Sequence, residues 1–276
     1  MSGEQRLEGL VLRSTPLGES DRLLTLLSSS EGLTRLAAPG ARKPKSSLAA
    51  AVPLALLSLQ VGGRGSLRRV RQLKVQRNFA ALAERLETLA AAQGLAELAL
   101  QLVPSGVAVE GLLDDLLLQL ARLELVVKER QNNLEALAIA VQGSVHLLAL
   151  GGYALPLASC ARTGAPLEPP LGNWDWRCSL LPGEGFVIGA VAGAQLVLNA
   201  SELALLQRLL RPALPRRRDG ALMGPAAVWL RLLQLVELWC REHLNRTARS
   251  WRLLRGCFGD GASSRAATPF PAPGRP

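Results

Sequence analysis

The sequence predicts an α+β chain in which a small five-stranded barrel precedes a mostly α-helical region. Three observations carry the prediction. Residues 1–78 hold five short apolar runs parted by Gly, Pro and Ser clusters, the mark of short strands and turns. From Phe79 onward the apolar spacing changes to the helical period. Between residues 151 and 200 a stretch rich in proline and glycine interrupts the helices. The predicted organisation is a barrel at 1–78, helices at 79–150, a small irregular module at 151–200, further helices at 201–256 and a disordered tail at 257–276.

The first strand is expected near Glu8–Ser14, and Pro16-Leu17-Gly18 ends it. The second spans Asp21–Leu27 and stops at the Ser28–Gly32 cluster. The third spans Leu33–Ala38 and stops at Pro39-Gly40. A basic loop follows at once, with Arg42, Lys43 and Lys45. The Ala-rich segment Ser46–Ala51 suits a short helical turn. The fourth strand is expected at Val52–Val61, with Pro53 at its start, where proline is tolerated. Gly62-Gly63-Arg64-Gly65 reads as a hairpin turn into the fifth strand, Leu67–Val75. Val70 and Leu73 have opposite parity there, and a bulge near Arg71 reconciles them. Five short strands of this spacing fit an OB-type barrel.

The helices follow in order. Phe79–Leu89 carries apolar residues at 79, 82, 86 and 89. Leu95–Val103 is stopped by Pro104-Ser105-Gly106. Glu110–Leu125 begins with Asp114 and Asp115, which complement the helix dipole. Leu134–Leu150 closes the set, and its apolar continuation to Ala161 is broken by Gly151-Gly152 and Pro156, so it reads as a buried helix and a loop, not a membrane span. Phe186–Ile188 and Leu196–Leu198 are expected to pair as a hairpin. Ser201 is the expected cap of a helix over Glu202–Leu210. A last helix is expected over Ala226–Leu254, apolar at first, with Trp229 and Trp239, then basic. At 100° per residue, Arg241, Arg249, Arg252 and Arg255 share one face of that helix.

The chain carries a net charge of +10, unevenly placed. Residues 1–80 hold 13 Lys/Arg against 5 Asp/Glu, and residues 201–276 repeat those numbers, while 81–150 hold 4 against 9. Two basic ends around an acidic middle suit a nucleic-acid surface. The fifth strand, with Arg68, Arg69, Arg71 and Lys74, lies beside the basic loop in this reading. The one aromatic residue among 1–80 is Phe79, so base stacking has little to offer in the barrel. Binding should run through phosphates, with little sequence preference. The first eight residues carry three charges and no apolar run, so no signal peptide is expected. Four cysteines in 276 residues do not make a disulfide framework, and the cytoplasm is the expected compartment.

The order of "VLR", "GESDRLLTLL", "EGL" and "GARKPKS" resembles the amino-terminal domain of the RecO family of bacterial recombination mediators. Arg249-Ser250-Trp251-Arg252-Leu253-Leu254 resembles the end of the family's carboxy-terminal helix. The resemblance implies an OB-fold and a helical domain with a small zinc-finger-like insertion. It implies a non-enzymatic factor of DNA repair and recombination that binds single- and double-stranded DNA and anneals complementary strands. It also implies RecR and single-strand-binding protein as partners, and loading of RecA onto DNA coated by that binding protein. Many members hold zinc with two Cys-x-x-Cys pairs. This chain keeps Cys160 and Cys178, while Thr163 and Leu181 stand where the second cysteines would be. Tetrahedral zinc takes four Cys or His ligands, so the module is expected to be degenerate, without metal or other cofactor, and packed through Trp174, Trp176 and Phe186.

The expected DNA-contacting residues are Arg35, Arg42, Lys43, Lys45, Arg68, Arg69 and Arg71 in the barrel, with Arg241, Arg249 and Arg252 at the basic helix. No phosphate-binding glycine loop of either common type is present. The two histidines, His146 and His243, read as core or surface residues, so no catalytic residue is expected. An RNA-binding protein or an adaptor for an acidic partner would use the same basic surfaces.

Overall fold

The computed structural model describes residues 5–63 and 67–259. Arg64 and Gly65 of the expected hairpin turn, and the tail beyond Gly259, lie outside the described residues. Five strands form the first part: β1 (Gln5–Leu17), β2 (Asp21–Ser28), β3 (Gly32–Ala38), β4 (Ala55–Gly62) and β5 (Arg68–Asn78). They close a barrel in the order β1-β2-β3-β5-β4, with β4 back on β1. This is an OB-fold. Inward positions of every strand supply its core, among them Leu7, Val11, Leu24, Leu26, Leu36, Leu57, Leu59, Val61 and Val70. Gly9 lets β1 coil across β2, since a Cβ there would sit 2.4 Å from the Leu27 carbonyl oxygen.

The bulge in β5 falls at Arg71: Gln72 pairs with Gln60 and Val70 with Val61, leaving Arg71 unpaired. That extra residue turns Val70 into the core. The expected start of the fourth strand needs correction. Val52, Pro53 and Leu54 form a turn, Leu54 at φ 63°, and pairing begins at Ala55. Ser46–Ala51 forms isolated turns with no helix.

Beyond the barrel, the two expected helices at 79–89 and 95–103 are replaced by a 3-10 turn (Ala80–Glu84) and one long helix, α1 (Leu86–Leu102). Arg85 is extended between them, and its guanidinium bridges Glu87, the carbonyls of Val126 and Gln131, and Asn133. The apolar period runs through this break because a 3-10 turn keeps i and i+3 on one side. Gly94 does not interrupt α1, because the Trp251 indole fills the space a side chain there would take. Helices α2 (Leu112–Lys128) and α3 (Asn133–Leu150) follow. α3 is long and apolar enough to cross a membrane by length and composition, yet it is mostly buried, packed against α1 and α2.

Strands β6 (Arg177–Leu181), β7 (Gly185–Ile188) and β8 (Leu196–Asn199) form a separate sheet in the order β7-β6-β8. The expected hairpin of Phe186–Ile188 with Leu196–Leu198 is therefore wrong in its pairing: both strands pair with β6. Five residues around Cys178 were too short and too close to prolines to read as a strand. Helix α4 (Ala200–Arg208) starts two positions earlier than expected. Asn199, not Ser201, is the cap, and it forms a reciprocal capping box with Glu202.

The last helix is two helices, α5 (Ala226–Leu244) and α6 (Ser250–Gly256). Asn245 at φ 56° ends α5 in the left-handed region. Trp251 of α6 is fully buried, and a Cβ on Gly94 would lie 2.5 Å from its indole. Ser250 donates its hydroxyl to Glu97 at 2.9 Å. So α6 folds back onto α1 through a ring seated on a glycine. The barrel is joined to the helices by Arg77 with Glu124 at 2.9 Å and by the Gly106 N–H on the Leu33 carbonyl at 3.1 Å.

One buried polar cluster ties the 209–213 loop to the helices. Gln142 donates to the carbonyls of Arg211 and Ala213, and Arg122 donates to that of Pro212. His146 faces the Leu209 carbonyl with Nε2 at 2.7 Å and Asp115 with Nδ1 at 3.5 Å. The Leu209 carbonyl can only accept, so Nε2 carries a proton, and the carboxylate beside Nδ1 favours a second. Asp115 thus holds the imidazolium above the ordinary histidine range, against the effect of burial.

Gly94→Ala should cost about 1–3 kcal/mol by overpacking the Trp251 site, read as a lower thermal midpoint. His146, with its raised pKa, should stabilise the fold fully below its ordinary value of about 6.5 and lose that contribution as the pH rises through the folded-state value. Proton NMR resolves the two histidines, and Asp115→Asn should bring the His146 titration down towards the ordinary value. An unchanged midpoint for His146 in that variant would refute the pairing.

Candidate nucleic-acid interface

The outer face of the barrel is set by strand register. Arg13 of β1 pairs with Thr25 of β2, and Thr25 with Arg35 of β3. Cross-strand partners share a face, so Arg13, Thr25 and Arg35 form one row. The next row runs Thr15, Leu23, Ala37 and Arg69, the last step through the parallel β3–β5 contact. Arg13, Arg35 and Arg69 are all exposed. The closure of the barrel thus assembles three arginines from three strands into one patch. Arg13 was missed in the sequence because the alternation slips in β1: Leu10, Val11 and Leu12 are all buried, and the register shifts between Val11 and Arg13.

The basic loop is pinned beside this patch. The Arg42 N–H donates to the Ser20 carbonyl at 2.8 Å, and its guanidinium to the Gly18 carbonyl at 3.1 Å. Asp21 accepts the Gly40 N–H at 2.8 Å and the Ser20 hydroxyl at 2.9 Å. Those two donors hold its carboxyl below the usual range, and the charges of Arg69 and Lys43 add to the effect. Arg69, at the start of β5, and Lys43, in the loop, both lie within electrostatic reach of Asp21. Lys43 and Lys45 are exposed.

Arg68 and Arg71 differ from these. Arg68 is bound to Glu31 and donates to Gln5 at 2.7 Å. It holds the Glu31 carboxyl down and joins β1, the β2–β3 turn and β5, so its guanidinium is committed within the fold. Arg71 projects from the bulge near Gly62 towards a second flank. There Arg6, Ser58, Gln60, Gln72 and Lys74 line a shallow cleft of about 280 Å³. Phe79 is buried under the Arg77 guanidinium, 4.5 Å from its ring centre. No aromatic side chain faces outward among the described residues of the barrel.

Arg241, Arg249 and Arg252 are exposed, but the break at Asn245 means they do not share one helical face as expected. Arg241 belongs to α5, Arg249 precedes α6 and Arg252 lies on it. Arg255 is bound to Glu237. No hydrogen bond or ion pair among the described residues joins this group to the barrel patch. Arg216 is held by both oxygens of Glu135, and Arg217 lies 3.3 Å from Asp219.

In the irregular module, Cys160 and Cys178 are free and buried. The turn at Cys160 is closed by the Gly164 N–H on its carbonyl at 2.8 Å, and the Ile188 N–H reaches its Sγ at 3.4 Å. The Thr163 hydroxyl, the main cause, and the Ile188 N–H bring the Cys160 thiol down to about 7. Burial, with Cys160 nearby, pushes Cys178 up to about 12. Among the described residues, no group of three His, Cys, Asp or Glu side chains gathers in a way that could hold a metal. Phe186 is buried and Trp176 half-buried, but Trp174 is 83% exposed, so it does not pack the module as expected.

The family model described as "Recombination protein O N terminal" matches residues 1–79, and "Recombination protein O C terminal" matches residues 83–252. Among curated relatives, "DNA repair protein RecO" of Prochlorococcus marinus (strain MIT 9303) is 63% identical over 266 residues, covering 95% of this chain and 99% of the relative. The protein of that name from Synechococcus sp. (strain WH7803) is 60% identical, with coverage of 94% and 96%. That from Acaryochloris marina (strain MBIC 11017) is 31% identical, again with 94% and 96%.

The geometry separates two arginines that look alike in the sequence. Arg35→Gln should leave the thermal midpoint nearly unchanged and flatten the salt dependence of single-strand binding by about 0.7 in log–log slope. Arg68→Gln should lower the midpoint, leaving Glu31 without its ion-pair partner, and keep the slope. Anisotropy titrations and thermal melts read both effects. The reverse assignment would show that the barrel faces nucleic acid by its Glu31 side.

Proposed function

The chain belongs to the RecO family, and from that premise we propose that it is a non-enzymatic recombination mediator in DNA repair. It holds single and double strands by their phosphates and anneals complementary single strands. With RecR, it helps load RecA onto DNA coated by single-strand-binding protein, in the cytosol. The family membership supports the role in repair and recombination, and the resemblance to mediators supports the named partners.

The observation that carries the annealing reading is the barrel's outer face. It sets Arg13, Arg35 and Arg69 beside Lys43 and Lys45 without an exposed aromatic ring. A surface of this kind neutralises phosphate charge and leaves bases free. Free bases can pair with a second strand, whereas stacked ones are withheld. Arg42 and Arg71 extend the contact at the loop and the bulge, and Arg241, Arg249 and Arg252 offer a second basic surface that a second strand can use.

The test is annealing of complementary single strands pre-coated with the cognate binding protein, across a salt series. The wild-type chain should anneal quickly at low salt and lose the activity as salt rises. Arg13→Gln/Arg35→Gln/Arg69→Gln should flatten the single-strand binding slope by about 2 and abolish annealing at moderate salt. Intact annealing in this triple variant would remove the barrel from the mechanism.

A further inference from the structure

Trp174 stands apart from the other tryptophans. It is 83% exposed, whereas Trp176 is half-buried and Trp229, Trp239 and Trp251 are buried. An exposed indole of this size is unusual for a side chain that folding normally hides. Its turn is nevertheless well tied. Asn173 Oδ1 accepts the N–H groups of Asp175 and Trp176 at 3.0 and 3.2 Å. The Arg177 guanidinium donates to the carbonyls of Trp174 and Trp176.

Beside the indole lies a cleft of about 340 Å³, lined by Trp174, Arg177, Val197, Asn199, Glu202 and Arg231. Its polar groups are largely committed. Asn199 and Glu202 cap α4 on each other. Arg231 is neutralised by Glu202 at 2.7 Å and donates to the Val197 carbonyl at 2.6 Å. Arg177 is the exception: among the described residues it has no carboxylate partner, and its bonds run to neutral carbonyls. The cleft therefore offers a flat aromatic face and one uncompensated positive charge.

We propose that Trp174 and Arg177 form a subsite for one unpaired nucleotide of a single strand, with the base stacked on the indole and its phosphate at the guanidinium. The inference rests on the phosphate-binding reading of the barrel and adds to it the stacking element that the barrel lacks. The chemistry favours a nucleotide over an acidic protein segment. Such a segment would anchor an apolar side chain in an apolar pocket, and this cleft has Val197 as its one aliphatic wall. A π-face takes any base, and a single cation suits a single phosphate. A paired base is hidden in its stack, so duplex DNA cannot use the subsite.

The test uses the full chain with a thymidine oligonucleotide carrying iododeoxyuridine. Irradiation should cross-link it to the peptide containing Trp174. In anisotropy titrations, Trp174→Ala should weaken single-strand binding about tenfold, the loss of one stacked base, with the salt slope and duplex affinity unchanged. Trp174→Phe should recover most of the loss. An exposed position makes misfolding of these variants easy to exclude by thermal melts. Cross-links that map elsewhere, with wild-type affinity in Trp174→Ala, would overturn the proposal. So would equal loss of single- and double-strand binding, or a defect confined to assembly with another protein. Failure of the barrel reading is seen separately, as an unchanged salt slope in the Arg13/Arg35/Arg69 triple variant.

Discussion

The closure of the barrel rests on a short parallel contact. β3 and β5 meet through two residue pairs, Leu36 with Arg68 and Ala37 with Arg69. Every other pair in the barrel is antiparallel and longer. That contact depends on β5 arriving at the right angle, which the bulge at Arg71 provides by bending the strand and raising its twist. The Arg68–Glu31 pair then holds the seam from outside. Closure has an electrostatic consequence. It brings Arg69 alongside the strand that carries Arg35, against mutual repulsion, and the Asp21 carboxylate beside Arg69 and Lys43 offsets part of that cost. The basic patch is thus a product of the topology, since its residues are 56 positions apart at the extremes, from Arg13 to Arg69.

The helical region solves a different problem. Its helices are so rich in Leu and Ala that no single face defines the core, and α3 is buried on nearly all sides. Position is set instead by a few irregular contacts. Trp251 on Gly94 seats α6, the Arg85 guanidinium bridges the start of α1 to the α2–α3 turn, and Gln142 and His146 grip the carbonyls of the 209–213 loop. Removing one member of such a cluster leaves buried polar partners unmet, and that costs more than the bond itself contributed.

The strands of the barrel were legible because their apolar runs are short and their turns carry strong breakers. The bulge was legible too, since Val70 and Leu73 cannot both face inward in a regular strand. What escaped was information that lies between distant residues. Gly94 has the look of a helix breaker until Trp251 is placed on it. Arg85 interrupts a periodic run without any Gly or Pro. The α5–α6 break sits in Asn245-Arg246-Thr247, where an unbroken count of 100° per residue hid a left-handed asparagine. β6 lies in a proline-rich stretch and takes its form from two flanking strands. For the candidate site, the loop residues and Arg35 and Arg69 could be read from charge and position. Arg13 could not, because three consecutive buried residues precede it and hide which way it points. Nor could the commitment of Arg68, which needs Glu31 from a different turn.

The irregular module is held by hydrogen bonds and apolar packing. The Cys160 turn is kept by backbone hydrogen bonds, by the Thr163 hydroxyl on the thiol and by the Ile188 N–H. Cys178 is buried in the central strand, where its raised pKa keeps it a neutral, apolar side chain. Phe186 and Leu180 pack beneath it in the same core as the helices. The loop before β6 is tied in turn by Asn173 and by the Arg177 guanidinium. That loop is where Trp174 is displayed. A rigid three-stranded base under a hydrogen-bonded turn can hold an indole in the solvent at a fixed place, and a long unfastened loop would let it collapse onto the nearest apolar surface.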